Sequence, residues 1–299
     1  MTTVGEGEYR YDLVESWGQV PPGLGVGVVT GVVVDSQDRV YFCQQQQNPP
    51  ILVFDGSGTF LDSWGEEIIN EPHTMFIDRE DIIYLADRGD HVALKLTTSG
   101  GKLLELGTRG QPSDTGCFED EAVVLRAGGP FNRPTRLSPS PSGDLYVSDG
   151  YRNSRVHRFS SQGELIASWG EPGTSAPSEF FSPHCLWIDG AGNIYVCDRK
   201  NNRIQIFSPE GEFLTQWTNV RLPTDLHIDS NGVFYLAERE SNESPDGLLT
   251  VRDGEGKVMA QWSTPRSHQI WPDNHGDIYL VSGTGRKTGN GIATKYIKV

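Results

Sequence analysis

The sequence is poor in basic charge, in sulfur and in long apolar runs. Against 40 acidic residues stand only 25 Lys and Arg, a formal net charge of −15. Nucleic acid and anionic membrane surfaces repel such a field, so neither is an expected partner. No stretch approaches the roughly 18 apolar residues of a membrane-spanning helix. The opening MTTVGEGEYRYDL lacks the basic and apolar segments of a secretory signal. Four cysteines (Cys43, Cys117, Cys185 and Cys197) show no CxxC spacing and are too few for a disulfide scaffold. The simplest reading is a reduced, cytoplasmic protein, and oligomeric state is not legible. What is abundant is turn chemistry: 35 glycines and 18 prolines in 299 residues argue against a helical bundle.

Those turns punctuate an internal repeat. In SPHCLWIDGAGNIYVCDRKNNRIQIFSPEGEFLTQW (182–217), two short apolar segments and two alternating segments are separated by GAGN, RKNN and SPEG. This is the pattern of four consecutive strands. The order recurs in 31–65, 74–107, 136–170 and 225–262. A sixth copy, 268–299, runs out after three strands, and its missing fourth matches YDLVESWG at 11–18. A chain that begins with the strand its end lacks closes on itself and leaves no exposed sheet edge. The expected fold is all-β, a six-bladed β-propeller, with residues 1–299 as one domain and blade six completed by residues 11–18.

One position of the repeat carries chemistry. Five residues before the aspartate that opens the first turn, every second copy has histidine: PHTMFID (His73), PHCLWID (His184) and SHQIWPD (His268). The alternate copies have Thr30, Thr135 and Thr224 there. The chain holds seven histidines in all, so three of six equivalent positions is far from random scatter. In a closed six-blade ring, alternate blades face the axis from directions a third of a turn apart. Three imidazoles converging so make a metal site with open positions; the competing reading is a set of stacked channel histidines. Of the others, His227 reads as channel lining, and His91, His157 and His275 as surface residues.

The slot lies at the start of each innermost strand, so the loops joining second to third strands fall on the same face. Those loops place Arg88, Tyr151 and Arg199 near the histidines and make the four-glutamine run (44–47), with Gln45, a candidate pocket wall. The long segment between blades two and three, 107–134, is too long for an ordinary connection and reads as a functional loop over that face. The acids ending second strands, Asp87, Asp149, Asp198 and Glu238, read as ties for their own loops.

At this point the residues resemble the NHL-repeat propellers, and among them the peptidyl-α-hydroxyglycine α-amidating lyases. The similarity is densest in LGTRGQPSDTG (106–116), NRPTRLSPSPSGDLYVSDGYRNSRV (132–156) and SPHCLWIDGAGNIYVCDRKNNRIQIF (182–207). The resemblance implies a catalytic zinc on His73, His184 and His268, a catalytic Tyr151 in DGYRNSR, and an active-site Arg199 in CDRKNNRIQ. Three positions depart from it. Gln44–Gln45 stand where the family's lyase has an arginine, Arg266 replaces a methionine, and Gln269 replaces an aspartate of its structural calcium site. The metal chemistry therefore transfers better than the calcium does.

The expected activity is that of a metal-dependent lyase cleaving a C–N bond of a hydroxylated, hemiaminal-type small molecule, anionic substrates included. A phenol is a poor base at neutral pH, its ordinary pKa being about 10, so Tyr151 as base needs the metal and a nearby cation. Arg88, Gln45 and Arg266 are candidate substrate contacts. Zinc is the first choice among divalent transition metals. Two alternatives stay open: a metal-dependent hydrolase or hydratase on the same site, and a non-enzymatic NHL interaction module.

Overall fold

The computed structural model describes residues 2–46, 48–284 and 291–299. Gln47 of the glutamine run and residues 285–290 of the blade-six loop lie outside the described residues. Six antiparallel sheets follow one another along the chain. Blade one comprises Val28–Val34, Val40–Gln45, Ile51–Phe54 and Phe60–Trp64. Blade two is Pro72–Ile77, Ile82–Asp87, Val92–Thr97 and Lys102–Gly107, and blade three is Pro134–Pro139, Leu145–Asp149, Arg155–Phe159 and Leu165–Trp169. Blade four is Pro183–Ile188, Ile194–Asp198, Arg203–Phe207 and Phe213–Trp217, and blade five is Pro223–Ile228, Phe234–Arg239, Asp246–Arg252 and Val258–Pro265. The first strands touch in cyclic order, each against the next, and blade six returns to blade one. The fold is a six-bladed β-propeller.

Blade six is Gln269–Pro272, Ile278–Val281 and Gly291–Lys298, closed by the N-terminal strand Tyr9–Gln19. Leu13 pairs with Tyr296 and Trp17 with Ala293. Thr3–Glu6 then adds a fifth strand on the outside, Val4 pairing with Tyr11. The repeat gave no hint of that strand, because no other blade has a counterpart. Among the described residues the only helical segment is a single 3-10 turn, Arg199–Asn201, and no helix is long and apolar enough to cross a membrane.

Local chemistry explains the blade. The aspartate at the first turn accepts from backbone N–H groups two and four residues on: Asp35 from Gln37 and Arg39, Asp189 from Ala191 and Asn193. This is an Asx-type turn held by its own side chain. Between blades, the tryptophan ending one outer strand lies on a turn glycine of the next. A Cβ on Gly100, Gly211 or Gly256 would come within 2.9, 2.8 or 2.6 Å of Trp64, Trp169 or Trp217. All three glycines also have positive φ, so no other residue fits there without strain. Inner strands are buried on both faces against neighbouring blades, while the outer strand Val258–Pro265 alternates toward solvent.

Along the axis, three residues past each histidine, Phe76, Trp187 and Trp271 meet with His227 in one aromatic cluster. Its ring centroids are 4.3 to 5.8 Å apart. Between that cluster and the histidines, Arg136 crosses to Asp225 as a buried ion pair and donates to the Met75 carbonyl at 3.2 Å. Gln269 bonds the same Met75 through both its N–H (3.2 Å) and its C=O (2.6 Å). The layer below the histidines thus holds a carboxylate already paired with a guanidinium, and an amide bound to the Met75 backbone.

Candidate metal centre

The slot residue is turned inward by a bulge. Strand pairing shifts register between Val29 and Gly31, Pro72 and Met75, Pro134 and Arg136, Pro183 and Cys185, and Pro223 and Asp225. The residues skipped include Thr30, His73, Thr135, His184 and Thr224. A bulge re-aims one side chain relative to the pleat, and here it aims the slot at the axis.

The three imidazoles form a near-equilateral triangle, with ring centroids 4.6, 4.8 and 4.8 Å apart. One ring nitrogen from each lies within 4.8 Å of the others. The threonines of the alternate blades now have an explanation. Nδ1 of His73 lies 2.6 Å from the Thr135 carbonyl, that of His184 2.6 Å from Thr224, and that of His268 2.7 Å from Thr30. A carbonyl can only accept, so each Nδ1 carries the proton and each Nε2 presents a lone pair to the axis. The threonine hydroxyls extend the ring: Thr30 donates to Pro72 O at 3.2 Å and Thr135 to Pro183 O at 2.9 Å. These carbonyls belong to the residues immediately before His73 and His184.

Burial holds all three histidines well below the ordinary imidazole pKa, helped by His268 at His73, by Arg199 at His184 and by Arg239 at His268. Three neutral imidazoles with lone pairs facing one point repel one another unless a cation lies between them. The donor set therefore fits a metal ion such as zinc.

Tyr151 stands at the edge of this triangle. Its hydroxyl is 3.2 Å from His73 Nε2 and 3.4 Å from His184 Nε2. The guanidinium carbons of Arg88 and Arg199 lie 4.8 and 5.8 Å from its ring centroid. Arg88 is tied to Glu71 at 2.5 Å and to Asp120 at 3.4 Å. Arg199 is 1% exposed and pairs with Glu121, while its Nε and Nη1 have no partner. Gln45 is buried; its amide donates to Pro72 O at 2.7 Å and accepts from Arg88 at 3.5 Å, so it braces the arginine and the strand before His73. Arg266 is half-buried, donates to Asn242 O, and its Nε has no partner.

The 107–134 segment supplies what the repeat could not. Glu121 reaches Arg199 and Lys200, and Asp120 reaches Arg88, Arg133 and Arg152. Its length and the resemblance over 106–116 were the signals in the sequence, and neither singled out Asp120 or Glu121. The second-strand acids close loops: Asp87 accepts from Asn70 and Glu71 N–H, Asp149 from Asn132, Asp198 from Phe181, and Glu238 from Arg221. Two histidine expectations are overturned. His157 is fully buried, with Nδ1 2.8 Å from Ser168 Oγ and its ring against Phe131. His91 is 9% exposed and accepts from Arg133 N–H. Both looked superficial because the segment that covers them, which includes Phe131, lies outside the repeat. His275 is exposed, beside Asp38.

Residues 180–207 match the NHL repeat family model. NHL repeat-containing protein 3 of Homo sapiens is 32% identical, over 86% of this chain and 68% of its own length. The chain belongs to the NHL-repeat proteins. This NHL-repeat propeller is also similar to peptidyl-glycine alpha-amidating monooxygenase B of Xenopus laevis, at 34% identity over 86% of the chain but only 33% of the frog protein. Peptidyl-alpha-hydroxyglycine alpha-amidating lyase 1 of Drosophila melanogaster is 33% identical over 52% of the chain and 29% of the fly protein. Among solved structures, a streptogramin B lyase superposes with a TM-score of 0.63 at 12% identity, covering 97% of this chain and 98% of that one. At that identity the likeness concerns the fold alone.

Proposed function

We propose that this propeller is a metal-dependent lyase that splits the C–N bond of a hydroxylated, hemiaminal-type small molecule. His73, His184 and His268 are its metal ligands and zinc its metal. The observation that carries the reading is the convergence of three neutral imidazoles with a tyrosine hydroxyl 3.2 and 3.4 Å from two of them. Relatives of about 30% identity that are named amidating lyases or monooxygenases support the reaction class. The chain spans about a third of the frog enzyme, so the activity is a proposal here and not an inheritance.

When bound, the cation supplies Lewis-acid polarisation of the substrate hydroxyl and favours negative charge on its oxygen. Tyr151 accepts the hydroxyl proton. The electrons of that O–H bond become the second bond of the carbonyl as the C–N bond breaks, and the departing nitrogen takes up a proton. The products are an amide and an aldehyde. Arg88 and Arg199, against the tyrosine ring, hold it beside the two imidazoles. Arg199 and Arg266 bind the substrate, and Gln45 keeps Arg88 in place.

The test is to incubate protein of measured metal content with an N-acyl-α-hydroxyglycine and assay glyoxylate. Glyoxylate release that is lost in His184→Ala supports the lyase. Turnover of an ester or amide with no glyoxylate moves the assignment to a hydrolase, and absence of stoichiometric metal sinks both.

A further inference from the structure

The residue after each second-strand acid points a different group at the mouth of the channel. In blades two, four and five it is arginine: Arg88 after Asp87, Arg199 after Asp198 and Arg239 after Glu238. The first two have carboxylate partners, Glu71 and Asp120 for Arg88 and Glu121 for Arg199. Arg239 has none among the described residues, although it is only 6% exposed. Among the described residues its guanidinium makes one hydrogen bond, a long one of 3.4 Å from Nε to the carbonyl of Ser267, the residue before His268. Glu238 cannot serve it, being engaged by Arg221 N–H, Thr250 and Arg252 at 2.6, 3.1 and 3.3 Å. Residues 285–290, GRKTGN, contain no acid that could serve it either.

The neighbourhood is unbalanced in the same sense. Arg88, Arg133, Arg152, Arg199, Lys200, Arg239 and Arg266 gather here. The carboxylates within ion-pair distance of the described members are Glu71, Asp120 and Glu121. This surplus of positive charge sits in a chain whose net charge is −15. A buried, unpaired guanidinium is costly, and burial with Arg199 and Arg266 nearby pulls the Arg239 pKa down. Unpartnered N–H groups on Arg199 and Arg266 add to the demand for an acceptor.

We infer that Arg239, with the free N–H groups of Arg199 and Arg266, is the anchor for a carboxylate on the substrate. The anion enters on the blade-five side; two blades further round the ring, the equivalent loop of blade one offers the Gln45 amide in place of a charge. The substrate class is then a small carboxylic acid whose anionic end lies against Arg239 while its hydroxylated carbon faces the histidines. For the orientation of that carbon the inference rests on the lyase reading; for the binding of the anion it does not.

The experiment uses the full chain as purified, with metal content measured, and two probes that lack the reactive hydroxyl: N-acetylglycine and its neutral analogue N-acetylglycinamide. Isothermal titration should show the acid binding at least about tenfold tighter than the amide, consistent with a charge-assisted pairing. The preference should fall as salt is raised. In Arg239→Gln, with metal content and circular dichroism spectrum retained, the preference should shrink to about twofold or less. If Arg239→Gln does not fold, Arg239→Lys serves, since an ammonium keeps the charge and loses the fork; the preference should then drop about threefold. Equal binding of acid and amide by the wild type, or an undiminished preference in a folded Arg239 variant, overturns the proposal. Neither probe can be turned over, so failure of the glyoxylate assay and failure of this one are separate results.

Discussion

His184 and His227 are both buried imidazoles on the innermost strands of adjacent blades, yet they sit in opposite kinds of surroundings. His184 has Nδ1 2.6 Å from the Thr224 carbonyl and shares the axis with two equivalent rings. His227, three residues past its slot, lies 4.3 Å from Trp187 and 5.0 Å from Trp271, and its Nδ1 has no partner. Burial is the largest cause of a lowered pKa at both, with Arg199 adding to it at His184 and Arg136 at His227. Only at the histidine end does a carbonyl decide which nitrogen holds the proton, and only there does the ring symmetry bring three lone pairs together. At the aromatic end the same geometry packs Phe76, Trp187 and Trp271 into an apolar plug.

The comparison breaks most sharply at the metal. His184→Ala should bind metal more than about 100-fold more weakly, since loss of an outer-shell partner alone costs up to that much. His227→Ala should keep its metal, and elemental analysis of both variants decides. Metal retained by His184→Ala, or lost from His227→Ala, would make the two ends equivalent.

Tyr151→Phe keeps the ring against Arg88 and Arg199 and removes the hydroxyl that lies 3.2 and 3.4 Å from two of the imidazoles. Turnover should fall about 10²- to 10⁴-fold, the usual worth of a positioned acid–base group, with metal content unchanged. Wild-type turnover in that variant rules out Tyr151 as the base.

Gly211→Ala probes the scaffold both ends share. Positive φ and a Cβ placed 2.8 Å from the Trp169 indole should cost about 1–3 kcal/mol in thermal or denaturant unfolding. The folded variant should still carry metal. No loss of stability would mean that the tryptophan-on-glycine packing is dispensable.

The smallest effect is expected at the plug. His227→Phe removes a buried nitrogen with no partner and should gain about 1 kcal/mol. Burial, then Arg136, lowers the His227 pKa to about 3, against about 6.5 in an unfolded chain. A lowered imidazole pKa means that the unfolded chain binds the proton first. This contribution to stability is therefore present above pH ~6.5 and is lost as pH falls toward 3. The melting-temperature gap between variant and wild type should widen from pH 7 to pH 5; a constant gap would refute this assignment of His227.

The repeat made the propeller and its closure legible, because strand order, turn aspartates and the YDLVESWG match are all local patterns. The histidine slot was legible for the same reason, since equivalent positions in a ring must face one axis. The fifth strand Thr3–Glu6 was not, having no counterpart in any other blade. Neither was the burial of His91 and His157, which depends on where the 107–134 segment folds back.

The sequence by itself determined which residues meet at the axis: periodicity plus ring closure leaves His73, His184 and His268 no other direction. Only the tertiary structure decided how they are held and what surrounds them. The Thr30, Thr135 and Thr224 carbonyls that orient the imidazoles come from neighbouring blades. The carboxylates that satisfy Arg88 and Arg199, and leave Arg239 without one, come from loops distant in the chain. Pairing across such separations depends on distances in space, which no spacing along the chain encodes.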